Sequence, residues 1–132
     1  MTTLMEKGWG QDNPAFRQVF TTRFAPGAST EQMDWFNELQ RVTVSPEAAA
    51  LFHETFGHID VSDRLAHIRQ PTLVLHARDD AEIAFDNGRA FATGIPGAQF
   101  VTLESRNHIL LEEEPAFRKL LYEVDRFLNQ FE

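Results

Sequence analysis

Cysteine is absent from the 132 residues, so neither a disulfide framework nor thiol chemistry is available. Positive charge is scarce as well: 12 Lys and Arg stand against 20 Asp and Glu, a formal net charge of −8. With no basic cluster to release counterions, the chain is not expected to partner nucleic acid or an anionic membrane. Long apolar runs are missing too. None approaches the roughly 18 residues of a membrane span, and Met1 to Gly10 has neither the basic nor the apolar region of a signal peptide. A soluble, cytoplasmic protein is the expectation. The seven glycines are scattered as caps and turns, so no phosphate-cradling loop is formed. Internal repeats and low-complexity tracts are also lacking.

What is present argues for order. Hydrophobic residues make up 42% of the chain and include twelve Phe, enough for a real core in one domain or less. The most informative stretch runs from Pro71 to His108. Leu73, Val74 and Leu75 form a short branched apolar run after a proline, the signature of a buried strand. Arg78, Asp79 and Asp80 follow at once. Phe85 to Thr93 reads as a helix closed by Gly94, Pro96-Gly97 as a turn, and Gln99 to Leu103 as a second strand. Strand, helix and strand with short links make a βαβ unit, which requires parallel strands and a right-handed crossover. Both strands then end on one side, where open α/β sheets place their sites.

The first half reads as helical. Asp12 or Asn13 can cap a helix that has Pro14 in its first turn and an apolar stripe of Phe16, Val19, Phe20 and Phe24. Ser29 and Gln32 make a capping box for a second helix, with Trp35, Phe36 and Leu39 expected inside. Ser45-Pro46 opens a third, with Leu51, Phe52 and Phe56 on its apolar side and Gly57 as its stop. Asp60 to Ile68 reads as a short helical turn. After the second strand, the acidic run Glu112 to Glu114 precedes Pro115 and suits the positive end of a helix dipole. Phe117, Leu120, Leu121, Val124, Phe127, Leu128 and Phe131 keep near-helical spacing for a terminal helix packed on the sheet.

The candidate chemistry is an acid after one strand and a histidine after the next. A carboxylate that fixes a histidine's tautomer and stabilises its protonated form is half of a Ser-His-Asp mechanism. The order acid, then histidine 28 positions on, is that of α/β-hydrolases. Asp79 and Asp80 compete for the acid role, and either can instead cap the turn. His76 is expected to be buried and hydrogen-bonded, while His53, His58 and His67 have no metal-ligand spacing. No metal or cofactor is expected.

The stretch PTLVLHARDD followed by IPGAQFVTLESRNHILLEEEPAF resembles the carboxyl-terminal half of the α/β-hydrolase family. In that family the acid closes a Gly-x-x-Asp turn after the seventh strand, and the histidine follows the eighth. Here Ala77 to Asp80 fills the turn with Ala in place of Gly, which picks Asp80 as the acid, and Asn107-His108 matches the histidine position. GWGQDNPAFRQVFTTRFAPGAS and EQMDWFNELQR are similar to the helical cap of a bacterial subgroup often joined to transcription-regulator or cyclase-like domains. The resemblance implies a partial α/β-hydrolase fold: a cap-like region over 1–68, then a βαβα part with parallel strands over 69–132. It implies Asp80 and His108 as the catalytic residues.

The departure is the nucleophile. None of Ser29, Ser45, Ser62 and Ser105 lies in a Gly-x-Ser-x-Gly elbow, and the strands that would carry the elbow and oxyanion hole are not present. Two classes of function follow. One is a serine ester hydrolase completed by an amino-terminal half, inactive alone, with a small ester-like substrate only when completed. The other is a non-catalytic interaction, sensing or dimerisation module of a regulator. The unpaired edge of the first strand and the many aromatics favour a homodimer.

Overall fold

The computed structural model describes residues 2–131 and divides after Asp60 into two compact units. The first is all helix: α1 (Thr2–Gly8), α2 (Ala15–Phe24), α3 (Thr30–Thr43) and α4 (Pro46–Phe56). Helix α1 has no counterpart among the expectations. It is held by packing: Met5 and the following Trp9 join Phe20, Ala49 and Ala50 in the core, with the Trp9 ring edge-on to Phe20 at 5.4 Å. The Asn13 carboxamide oxygen accepts the Ala15 amide at 2.9 Å and starts α2. The Ser29–Gln32 capping box is complete in both directions, and Ser45 caps α4 through the Ala48 amide.

The inner faces of these helices differ from the hydrophobic pattern. Trp35, Leu51, Phe52 and Phe56 are each at least half exposed, and Val19 is 48% exposed. Buried in their place are Arg17, Thr21, Asn37 and Gln40. They form a connected polar network. The Arg17 guanidinium donates to the carbonyls of Asn37 (3.0 Å), Gln11 (2.6 Å) and Trp9. Thr21 Oγ1 donates to Asn37 Oδ1 and accepts from Gln40 Nε2, while Asn37 Nδ2 donates to Gln18. The Trp9 indole N–H is shared between the carbonyls of Gln40 and Val44, each 3.1 Å away. Buried polar groups persist only when satisfied, and this set satisfies itself.

The second unit opens with a 3₁₀ turn (Ser62–His67) and continues β1 (Leu73–Ala77), α5 (Phe85–Gly94), β2 (Gln99–Leu103) and α6 (Pro115–Leu128). β1 and β2 pair in parallel, in the register Leu73↔Gln99 to Ala77↔Leu103. Side chains alternate across the strands. One face sets Phe100 and His76 against Phe85 of α5, at 5.6 and 5.7 Å between ring centroids. The other places Leu75, Ala77 and Leu103 with Leu120 of α6 around a small cleft. Gly88 lets α5 approach closely, since a Cβ there would lie 2.5 Å from His76 Nδ1. Gly97 turns the chain into β2 at a φ of 75°, a left-handed conformation that favours glycine. On α6, Phe117, Leu120, Val124 and Phe127 are half-buried, but Leu121 and Leu128 face outward and Phe131 lies beyond the helix. Among the described residues no helix is long and apolar enough to cross a membrane.

Candidate active site

The two strands end side by side, and the loops that leave them stay tied together. Arg78 N–H donates to the Leu103 carbonyl (2.8 Å), Asp79 N–H to Ser105 (3.1 Å) and Ala81 N–H to Arg106 (3.2 Å). The Arg78 side chain crosses the same gap to grip Glu104 with both carboxylate oxygens, the shortest contact being 2.8 Å. These links set the 78–83 turn against the loop that carries His108.

Asp80 and His108 meet there. His108 Nδ1 lies 2.8 Å from Asp80 Oδ2, and the Asp80 side chain is only 5% exposed while that of His108 is 36% exposed. The other carboxylate oxygen, Oδ1, accepts the backbone amides of Glu82 (2.8 Å) and Ile83 (2.9 Å). Burial, the largest single influence on Asp80, pushes its pKa up. The Ile83 amide, the His108 ring and the Glu82 amide together outweigh burial and hold the carboxyl below its usual range. Asp80 is therefore an anion at neutral pH, so the hydrogen between it and His108 sits on Nδ1. In the tautomer that carries its hydrogen on Nδ1, Nε2 is the nitrogen with the free lone pair.

Asp79 stands apart. Its side chain is exposed, and its backbone N–H ties the strand ends. Ser105 belongs to the loop's scaffolding, since its Oγ donates to Glu114 Oε2 at 2.6 Å and accepts the Asn107 amide at 3.0 Å. His53, His58 and His67 are exposed, and the described residues contain no group of three or more metal-ligating side chains.

Two residues near the dyad do more than the sequence implies. His76, mostly buried, places Nε2 at 3.1 Å from the Ile83 carbonyl and 3.7 Å from Asp80 Oδ2. With Nε2 protonated, it donates to Ile83 and steadies the turn whose amides hold Asp80. Its position four residues before Asp80, at the strand's end, was the available signal. Glu114, expected as part of a solvated helix start suited to the helix dipole, reaches back into the histidine loop. The cleft beside the dyad, about 130 Å³, is lined by His76, Asp80, Asn107, His108, Leu110 and the sheet's apolar residues.

Two solved hydrolase structures share this fold. An esterase from Exiguobacterium antarcticum, EaEST, matches with a TM-score of 0.76 at 21% identity, over 95% of this chain and 47% of that one. The hydrolase olei00960 from Oleispira antarctica matches with a TM-score of 0.75 at 19% identity, over 95% of this chain and 45% of that one. The chain thus spans a little under half the length of either. No protein-family model and no curated protein matches the sequence. The architecture is a partial α/β-hydrolase fold.

Proposed function

We propose that this chain supplies the acid and base of a Ser-His-Asp ester-hydrolysing site, Asp80 and His108, and turns over only when another segment supplies the nucleophile and oxyanion hole. The observation that carries the reading is the 2.8 Å contact between His108 Nδ1 and an anionic, amide-held Asp80. In a completed site, Nε2 takes the proton from a serine hydroxyl as its oxygen attacks the ester carbonyl. The resulting imidazolium, stabilised by Asp80, then gives that proton to the leaving alkoxide, and water repeats the cycle on the acyl-serine. No cofactor is needed. In this reading residues 1–68 serve as the cap and 69–132 as the acid–base half, in a cytoplasmic protein whose substrate is a small ester.

The test is hydrolysis of p-nitrophenyl acetate. The 132-residue chain alone is expected to show no turnover above a His108→Ala control. Joined to an α/β-hydrolase segment that bears a Gly-x-Ser-x-Gly elbow, it is expected to gain His108-dependent turnover. Robust activity of the chain alone, or a completed enzyme indifferent to His108, would overturn the assignment.

A second reading is a non-catalytic interaction or dimerisation module, such as an appendage of a regulator. It is favoured by the outer edge of β1. The bonds Gln99 N–H to Thr72 O and Arg78 N–H to Leu103 O place the even-numbered residues of β1 toward β2. By the parallel ladder's alternation, Leu73, Leu75 and Ala77 turn their backbone groups the other way, where a strand of a second copy could pair with them.

A further inference from the structure

We propose that Glu114 is the positioning residue of the acid–histidine pair, acting as a carboxylate clamp that fixes the loop on which His108 rides. Residues 104–114 contain no helix or strand, and His108 sits near their middle. Backbone bonds from the neighbouring turn reach Ser105 and Arg106. Beyond them, Glu114 gathers three donors from both sides of His108. Ser105 Oγ donates to Oε2 at 2.6 Å, while Asn107 Nδ2 (3.2 Å) and Leu111 N–H (2.6 Å) donate to Oε1. Asn107, the residue before the histidine, is 4% exposed and also donates its own amide to Ser105 Oγ. The loop therefore closes into a ring of hydrogen bonds with Glu114 as its hub and His108 on its rim.

The alternative duty for this side chain is helix capping, and Glu114 does not perform it. It occupies the N-cap position of α6, yet it makes no side-chain bond to that helix. An acidic N-cap side chain ordinarily accepts an amide of the first turn, so its turn toward the loop marks a different role. A carboxylate suits that role because two oxygens with several lone pairs can accept all three donors at once. The carboxamide of glutamine has one such oxygen. A ring fixed on both sides leaves His108 few ways to swing from Asp80, which matters because a small misplacement of a general base is costly.

The consequence for catalysis rests on the reading of His108 as the base, but the clamp can be tested without turnover. In the full 132-residue chain, the His108 Nδ1–H proton should be visible by NMR as a downfield resonance in slow exchange with water. Glu114→Gln should speed that exchange by roughly tenfold, the lower range for losing one hydrogen bond to a charged group, and Glu114→Ala should speed it further. Glu112→Gln, the same loss of charge at an exposed neighbour, should leave it unmoved. Exchange within twofold of wild type in Glu114→Gln would overturn the clamp, and that variant decides the matter even if Glu114→Ala does not fold. If wild type itself shows no Nδ1–H resonance that depends on Asp80, the acid–histidine reading falls first. A wild-type resonance indifferent to Glu114 refutes the clamp alone.

Discussion

Asp80→Asn separates an ionised, catalytically oriented carboxylate from a simple turn cap. The asparagine oxygen can still accept the amides of Glu82 and Ile83, which Asp80 Oδ1 holds at 2.8 and 2.9 Å. The change makes those two bonds neutral and replaces Oδ2 with an N–H donor facing His108. Charge-assisted bonds contribute about 1 kcal/mol more than neutral ones, so three of them put the loss at about 3 kcal/mol at neutral pH. The pH dependence follows from the depressed pKa of Asp80. Its contribution is fully present above the unfolded carboxyl's value, about 3.9, and is lost as pH falls through the lower native value. The variant has no such component, so the stability gap should close toward acid. Urea denaturation at fixed salt, repeated from pH 7 to pH 3, reads the gap directly. The new donor should also force His108 into the tautomer protonated at Nε2, visible in its ring nitrogen shifts, and a base in that tautomer cannot act. A gap that stays constant with pH, or an unchanged tautomer, would refute the reasoning.

Gly88→Ala should destabilise despite improving helix propensity. The new Cβ would meet the His76 ring at 2.5 to 2.8 Å, a crowding of about 1–3 kcal/mol against a propensity gain of about 1 kcal/mol. A denaturation midpoint raised by the full propensity gain would show that His76 is free to move aside. If β1 recruits a second copy, light scattering should find a dimer across micromolar concentrations. Leu73→Pro, which removes a donor from the outer edge only, should yield a folded monomer; a wild-type chain that is already a folded monomer would refute the pairing.

The second unit was largely legible in the sequence. Pro71, the branched run at 73–75, Gly94 and Pro96-Gly97 bound β1, α5 and β2 to within a residue or two, because each breaker has one local meaning. The 28-residue spacing from Asp80 to His108 was legible for the same reason, since parallel strands end on the same side. The first unit was less so. Hydrophobic patterning puts Trp35, Phe52 and Phe56 inside, whereas the structure leaves them at least half exposed and buries Arg17, Asn37 and Gln40. Patterning scores residues singly, whereas Arg17 is buried because carbonyls 6 to 20 positions away accept its hydrogens. Glu114 escaped for a related reason: its partners lie in a loop with no periodic signal.

The polar lattice inside the helical unit also bears on how this chain can change. The bonds that join α2 to α3 fix one helix against the other at a single height, so the lattice works as a key. Sliding α2 along α3 by one turn would part Thr21 from Asn37 and Gln40 and pull Arg17 from the Asn37 carbonyl. Losing any one member strands its partners without water, which is costly, whereas exchanging the whole set for apolar residues of matched volume is far less so. Positions 17, 21, 37 and 40 should therefore be coupled: intolerant of substitution one at a time, and replaceable only together.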